Sequence, residues 1–157
     1  YRSRHPGGLG RKFGEISVKQ VIIDTNVLIS FLTDRNFHQQ ELAAELMQSA
    51  ADLKIALICH QYVLTEFVYV LERIYKISQS RIRMLLSDFM SMPGVEIVHE
   101  IHFKQLFTCW PDPIGDFGDA VLAHLTMTMK RTVVATFDQK FIQQLNAMDF
   151  DVFKFDI

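Results

Sequence analysis

Long apolar runs, paired histidines and clustered cysteines are all missing from this sequence. Its apolar stretches fall far short of the roughly 18–20 residues that cross a bilayer, so no membrane span is expected. None of the six histidines forms an HxxxH or HxH pair, and a zinc site is not expected. The two cysteines, Cys59 and Cys109, lack CxxC or Cys/His spacing and lie in apolar surroundings, ALICHQYVL and LFTCWP. They read as buried free thiols, which suits a reducing cytoplasm. Positive charge is scarce as well. The net charge is −2, yet five of the sixteen basic residues (Arg2, Arg4, Arg11, Lys12, Lys19) lie in the first nineteen. Residues 20–157 therefore carry 11 basic against 17 acidic side chains, a net of −6. Such a body binds a phosphate backbone only if its acid is concentrated at one site and neutralised by metal. The basic N-terminus has no apolar h-region, so no signal peptide is expected. Residues 1–19 read as an extension, either flexible or left over from expression, and 20–157 as one domain large enough for a real core.

What is present is an alternation of short apolar runs with amphipathic stretches. KQVII reads as a buried parallel strand, followed by a helix from Val27 to Leu32. QQELAAELMQSA places Leu42, Ala43, Leu46 and Ala50 at helical spacing. LKIALI (53–58) is a second strand, and HQYVLTEFVYVLERIYK a helix with Val63, Phe67, Leu71 and Ile74 on one face. SQSRIRMLLSDFMSM forms another helix that stops at Pro93-Gly94. VEIV, RTVVATF and DVFKF supply three more strands, separated by the short helix HFKQLFTCW, the helix that begins within DPIGDFGDAVLAHLTM, and DQKFIQQLNAM. Strands alternating with helices specify a parallel α/β sheet of about five strands. Sites in such sheets form beyond the carboxyl ends of the strands, where strand order reverses.

Acidic residues gather at those positions. Asp24 directly follows VII and Asp138 follows VVATF; each could equally cap the helix it precedes. Asp116 and Asp119 open the helix of DFGDAVLAHL, where capping needs only one of them. Glu66 stands in an apolar helix with no basic neighbour until Arg73. A carboxylate so placed has to be hydrogen-bonded or ligating. Crowded together and uncompensated, four such groups would repel by several kcal/mol at an effective dielectric of about 20. Hard divalent cations remove that repulsion, and Mg²⁺ or Mn²⁺ prefers carboxylate and water oxygen.

DTNVLI, a helical TE, DFGDA and VVATFD, in that order, resemble the PIN-domain family of metal-dependent ribonucleases, most of all the VapC-type toxins of bacterial toxin–antitoxin pairs. The likeness runs from Val21 to the C-terminus and implies a PIN-like three-layer α/β/α fold with a mostly parallel sheet. Position by position, it puts the family's acids on Asp24, Glu66, Asp119 and Asp138 as catalytic metal ligands, with Asp116 as an auxiliary ligand or cap. Thr25 or Asn26, and Thr136, fall beside the acids as supporting polar groups. The implied reaction is Mg²⁺- or Mn²⁺-dependent hydrolysis of RNA, with one or two ions, leaving 5′-phosphate and 3′-hydroxyl ends. The implied partners are the RNA substrate, a cognate antitoxin and a second copy of the chain. His124 replaces a small residue common in the family.

Grip on the substrate is expected from Arg73, Lys76, Arg81 and Arg83, which otherwise form a solvated helix face. Of Tyr62, Phe67, Tyr69, Tyr75, Leu85, Phe89 and Met90 some close the core, but together they exceed what a small domain buries, and a partner surface is expected. Two other readings compete within the class or beside it: a housekeeping RNA-processing nuclease, and a binding module of the same fold without activity. A phosphatase forming a phospho-aspartate wants a second Asp two residues after the first, where this chain has Asn26.

Overall fold

The computed structural model describes residues 18–156. Four strands form one parallel sheet: β1 (Lys19–Ile23), β2 (Ile55–His60), β3 (Val95–Val98) and β4 (Thr132–Ala135). Seven helices connect and cover them: α1 (Thr25–Leu32), α2 (Phe37–Ala51), α3 (Gln61–Arg73), α4 (Gln79–Met90), α5 (Phe103–Leu106), α6 (Phe117–Thr128) and α7 (Gln139–Ala147). The sheet order is β3-β2-β1-β4, with Val21 opposite Leu57 on one side and Val133 on the other. The chain thus builds outward from β1 through β2 to β3, then returns to β1's free edge with β4. That reversal makes the crevice beyond the ends of β1 and β4 the switch point of the sheet.

The core follows from the apolar runs. Val21, Ile22 and Ile23 of β1, Leu57, Ile58 and Cys59 of β2, and Val134 and Ala135 of β4 are fully buried. Both faces of these central strands are covered by helices, which is why they read as continuous apolar runs. Phe67, Leu71, Phe89, Leu122 and Phe141 bring the helices onto the sheet. Both cysteines are buried free thiols, and burial pushes the Cys59 thiol up to about 12.

The expected fifth strand is a correction. Of DVFKF only Val152 pairs, in an isolated parallel bridge with Val134 flanked by Val134 N–H to the Asp151 carbonyl and Phe153 N–H to the Val134 carbonyl. Beyond that point Phe155 stacks on Phe137 at 4.6 Å and meets Phe153 edge-on at 4.9 Å. Aromatic packing against the loop after β4 takes the place of continued ladder pairing, so among the described residues the sheet has four strands. α1 also starts two residues earlier than expected, at Thr25, because Asp24 caps it directly. Arg2, Arg4, Arg11 and Lys12 lie outside the described residues; Lys19 opens β1 with its Nζ 5.6 Å from the Phe153 ring centre.

Gly94 turns the chain from α4 into β3 at φ +78°, where a side chain would run into the Ala50 carbonyl. Only glycine meets both demands.

Candidate active site

Three helices begin at the same crevice, and each is capped by an acid. Asp24 Oδ1 accepts the Thr25 N–H at 2.7 Å, Asp116 Oδ1 the Asp119 N–H at 2.9 Å, and Asp138 Oδ1 the N–H groups of Lys140 and Phe141 at 2.9 and 3.2 Å. Capping and a second role coexist, because each cap uses one carboxylate oxygen. Asp24 shows what the other can do. Its Oδ2 accepts Thr136 Oγ1 at 2.7 Å and Asn26 Nδ2 at 3.1 Å. Asn26 also donates to Thr136 and accepts the Phe137 N–H, tying the start of α1 to the end of β4. Thr25 is buried and supplies its backbone N–H alone to this network.

Asp24, Thr25, Asn26, Glu66, Asp116, Asp119 and Asp138 all line one cavity of about 370 Å³. The structure therefore brings together every acid singled out in the sequence, from four separate segments. Glu66 is half-buried and faces this cavity from α3 rather than lying wholly among apolar groups. Asp24 is only 8 % exposed. Burial, then the charges of Glu66 and Asp138, push its carboxyl up to about 6, against the hydrogen bonds from Thr136 and Thr25. Asp119 is pushed up to about 7 by burial and by the charges of Asp24, Asp116, Asp138 and Glu66. Among the described residues, no basic side chain forms an ion pair with any of the five; the ion pairs there are Lys54–Asp52 and His102–Glu100.

Such a donor set, all carboxylate oxygen with uncancelled charge, fits a hard divalent cation. The acids ring the cavity rather than converge: among the described residues no three stand close enough to grip one ion directly.

Six further residues line the cavity: Ile29, Tyr62, Gly118, Leu122, Lys140 and Gln144, of which the sequence pointed only to Tyr62, and that as part of a partner surface. Tyr62 lies one helical turn before Glu66, and that i, i+4 spacing was the available signal. Its ring packs on Gly118, where a Cβ would stand 2.5–2.8 Å from the ring and hydroxyl. Burial and the charges of Glu66, Asp116 and Asp119 push the Tyr62 hydroxyl above the usual phenol range. Lys140 sits two residues beyond Asp138. Arg73, Lys76, Arg81 and Arg83 are exposed and none lines the cavity; Arg83 borders a separate groove between α3 and α4.

The PIN domain family model matches residues 21–144. The chain belongs to the PIN domain family. Nucleases of this family cleave RNA with divalent metal ions. A solved structure of the PIN domain endonuclease Utp24 is 23% identical with a TM-score of 0.48, covering 80% of this chain and 76% of that one. No curated protein matches the chain. The matched PIN segment contains all five acids, as well as Thr25, Asn26 and Thr136.

Proposed function

We propose that this PIN domain is a metal-dependent ribonuclease that hydrolyses RNA phosphodiester bonds in the acidic cavity. One observation carries the reading. Five carboxylates from four segments surround a single cavity at the switch point of the sheet, with no cation among the described residues paired to them. A fold keeps such repulsion when something bound there repays it.

Asp24, Glu66 and Asp119 are assigned as metal ligands, directly or through metal-bound water, Asp116 as an auxiliary one, and Asp138 as a ligand or the group that orients water. A bound Mg²⁺ or Mn²⁺, one ion or two, supplies Lewis-acid stabilisation of the phosphate and a more acidic water. Thr136 and Asn26 hold the Asp24 carboxylate in one orientation through Oδ2. Lys140, on the rim, meets the negative charge of the entering phosphate. Water attacks phosphorus, the bond to the 3′ oxygen breaks, and that oxygen takes up a proton. The products carry a 5′-phosphate and a 3′-hydroxyl.

The test is cleavage of mixed RNA with Mg²⁺ or Mn²⁺ by the intact chain and by Asp24→Asn and Asp119→Asn. Cutting that EDTA stops and both substitutions abolish is expected. Cutting that survives both would sink the assignment.

The finer reading, the toxin of a toxin–antitoxin pair acting in the cytoplasm, rests on the likeness of DTNVLI, TE, DFGDA and VVATFD to VapC-type proteins. Exposed Tyr69, Ile74, Met84 and Met90 on and beside α3 and α4 support a homodimer or antitoxin surface, while Phe67 and Phe89 are among those that close the core. Growth arrest on expression, relieved by Asp24→Asn, is expected of a toxin; unimpaired growth with active enzyme points to RNA processing. Arg73, Lys76, Arg81 and Arg83 remain assigned to RNA outside the cavity, and loss of salt-dependent affinity on their removal tests that.

A further inference from the structure

A series of aromatic rings starts at Phe117, next in sequence to two residues of the cavity lining; its inner two, Phe117 and Trp110, are half-buried against the core. Phe117 lies between Asp116 and Gly118, both of which line the cavity. Its ring meets Trp110 edge-on at 5.4 Å and 82°. Trp110 lies 6.3 Å from Phe107, and Phe107 5.7 Å from Phe103. The outer two rings are 58% and 51% exposed. Core packing does not account for them, because this segment is anchored by Leu106, Cys109 and Ile114, all fully buried. Trp110 is fixed through its indole N–H, which donates to the Gly115 carbonyl at 3.3 Å. The other aromatic cluster, Phe137, Phe153 and Phe155, is half-buried and consumed in packing the C-terminal segment.

We propose that Phe117, Trp110, Phe107 and Phe103 form a stacking track for the bases of single-stranded RNA whose backbone enters the acidic cavity. The proposal rests on the nuclease reading above. A cavity of about 370 Å³ holds a fragment of small-molecule size, so nucleotides flanking the scissile bond lie outside it. The basic cluster of Arg73, Lys76, Arg81 and Arg83 aside, long-range attraction adds little to their grip, since residues 20–157 carry a net charge of −6. Base–aromatic stacking supplies affinity that needs no positive surface and tolerates any base, because every base presents a π-face. Exposed Lys104, within α5 and next to Phe103, adds one cation to the track for a phosphate. The track therefore confers grip on single strands without reading their sequence.

Trp110 is the chain's one tryptophan, so its fluorescence reports on the track directly. The Asp24→Asn chain, which holds RNA uncut, is titrated with a short single-stranded RNA in Mg²⁺, and with an abasic oligonucleotide of equal charge. Saturable quenching by the RNA alone is expected. In the same background, replacing Phe103 and Phe107 together by Ala should weaken RNA affinity at least about tenfold, in keeping with the loss of one stacked base. Circular dichroism checks that this variant is folded, and Phe37→Ala, another exposed aromatic, should leave affinity unchanged. Undiminished affinity in the double variant, while the intact chain cuts RNA, overturns the track and leaves the nuclease reading standing. Quenching lost in the double variant, with no metal-dependent cutting by the intact chain, leaves the track standing and removes the nuclease. A dimer that the double variant dissociates, with RNA affinity unchanged, assigns the rings to a second copy and overturns the proposal.

Discussion

Thr136 Oγ1 donates to Asp24 Oδ2 at 2.7 Å, joining the ends of two adjacent strands that lie 112 residues apart in the chain. Both groups are buried, so the bond is protected from water. It is also the strongest influence holding the Asp24 pKa down against burial. Replacing Thr136 by Val keeps the shape and removes the donor. The Asp24 carboxyl should then rise further, and metal affinity should fall by about 10- to 100-fold. Calorimetric titration with Mn²⁺ measures this directly.

The pH dependence of stability has a definite sign. Asp24 and Asp119 have folded-state values near 6 and 7, above the ordinary 3.8. The folded chain therefore keeps protons that the unfolded chain has already released. The stability these two groups contribute is fully present below about pH 4 and is lost as pH rises through 6 and 7. Thermal unfolding of the metal-free protein should show a decline across that window. Flat behaviour there would argue against the crowded-acid description.

Metal addition should reverse the decline. Mn²⁺ at about a hundredfold over its Kd stabilises by about 2.7 kcal/mol when it binds only the folded chain. The gain should be larger at pH 8 than at pH 5, where protons compete for the same carboxylates. EDTA should return Tm to the metal-free value.

Asp119→Asn separates stability from activity. Removing one charge from the cluster relieves the repulsion from Asp24, Asp116, Asp138 and Glu66. The metal-free variant should unfold at higher temperature than the parent at pH 8, yet lose RNA cleavage. A variant that is both less stable and still active would contradict the assignment.

Gly118→Ala should destabilise by about 1–3 kcal/mol, because the new methyl meets the Tyr62 ring. Adding Tyr62→Ala vacates that space, so the double variant should cost less than the two single changes summed. A denaturant double-mutant cycle tests the coupling.

By itself the sequence determined what depends on neighbours along the chain. Short continuous apolar runs and period-3.6 apolar spacing placed the four strands and the helices, because both are patterns of neighbours along the chain. Asp24, Asp116 and Asp138 declared themselves at helix starts, and Glu66 by standing alone among apolar residues. The tertiary structure decided what depends on residues far apart. Sheet order β3-β2-β1-β4 set Asp24 beside Asp138. The same packing moved the Asp24 and Asp119 pKa values, since burial and mutual repulsion exist only once the segments meet. DVFKF has strand propensity, but Phe155 stacked on Phe137 and ended the ladder after one bridge. Tyr62 against Gly118 and Phe117 against Trp110 had no local signature, because which side chains share space across elements is settled by packing between them.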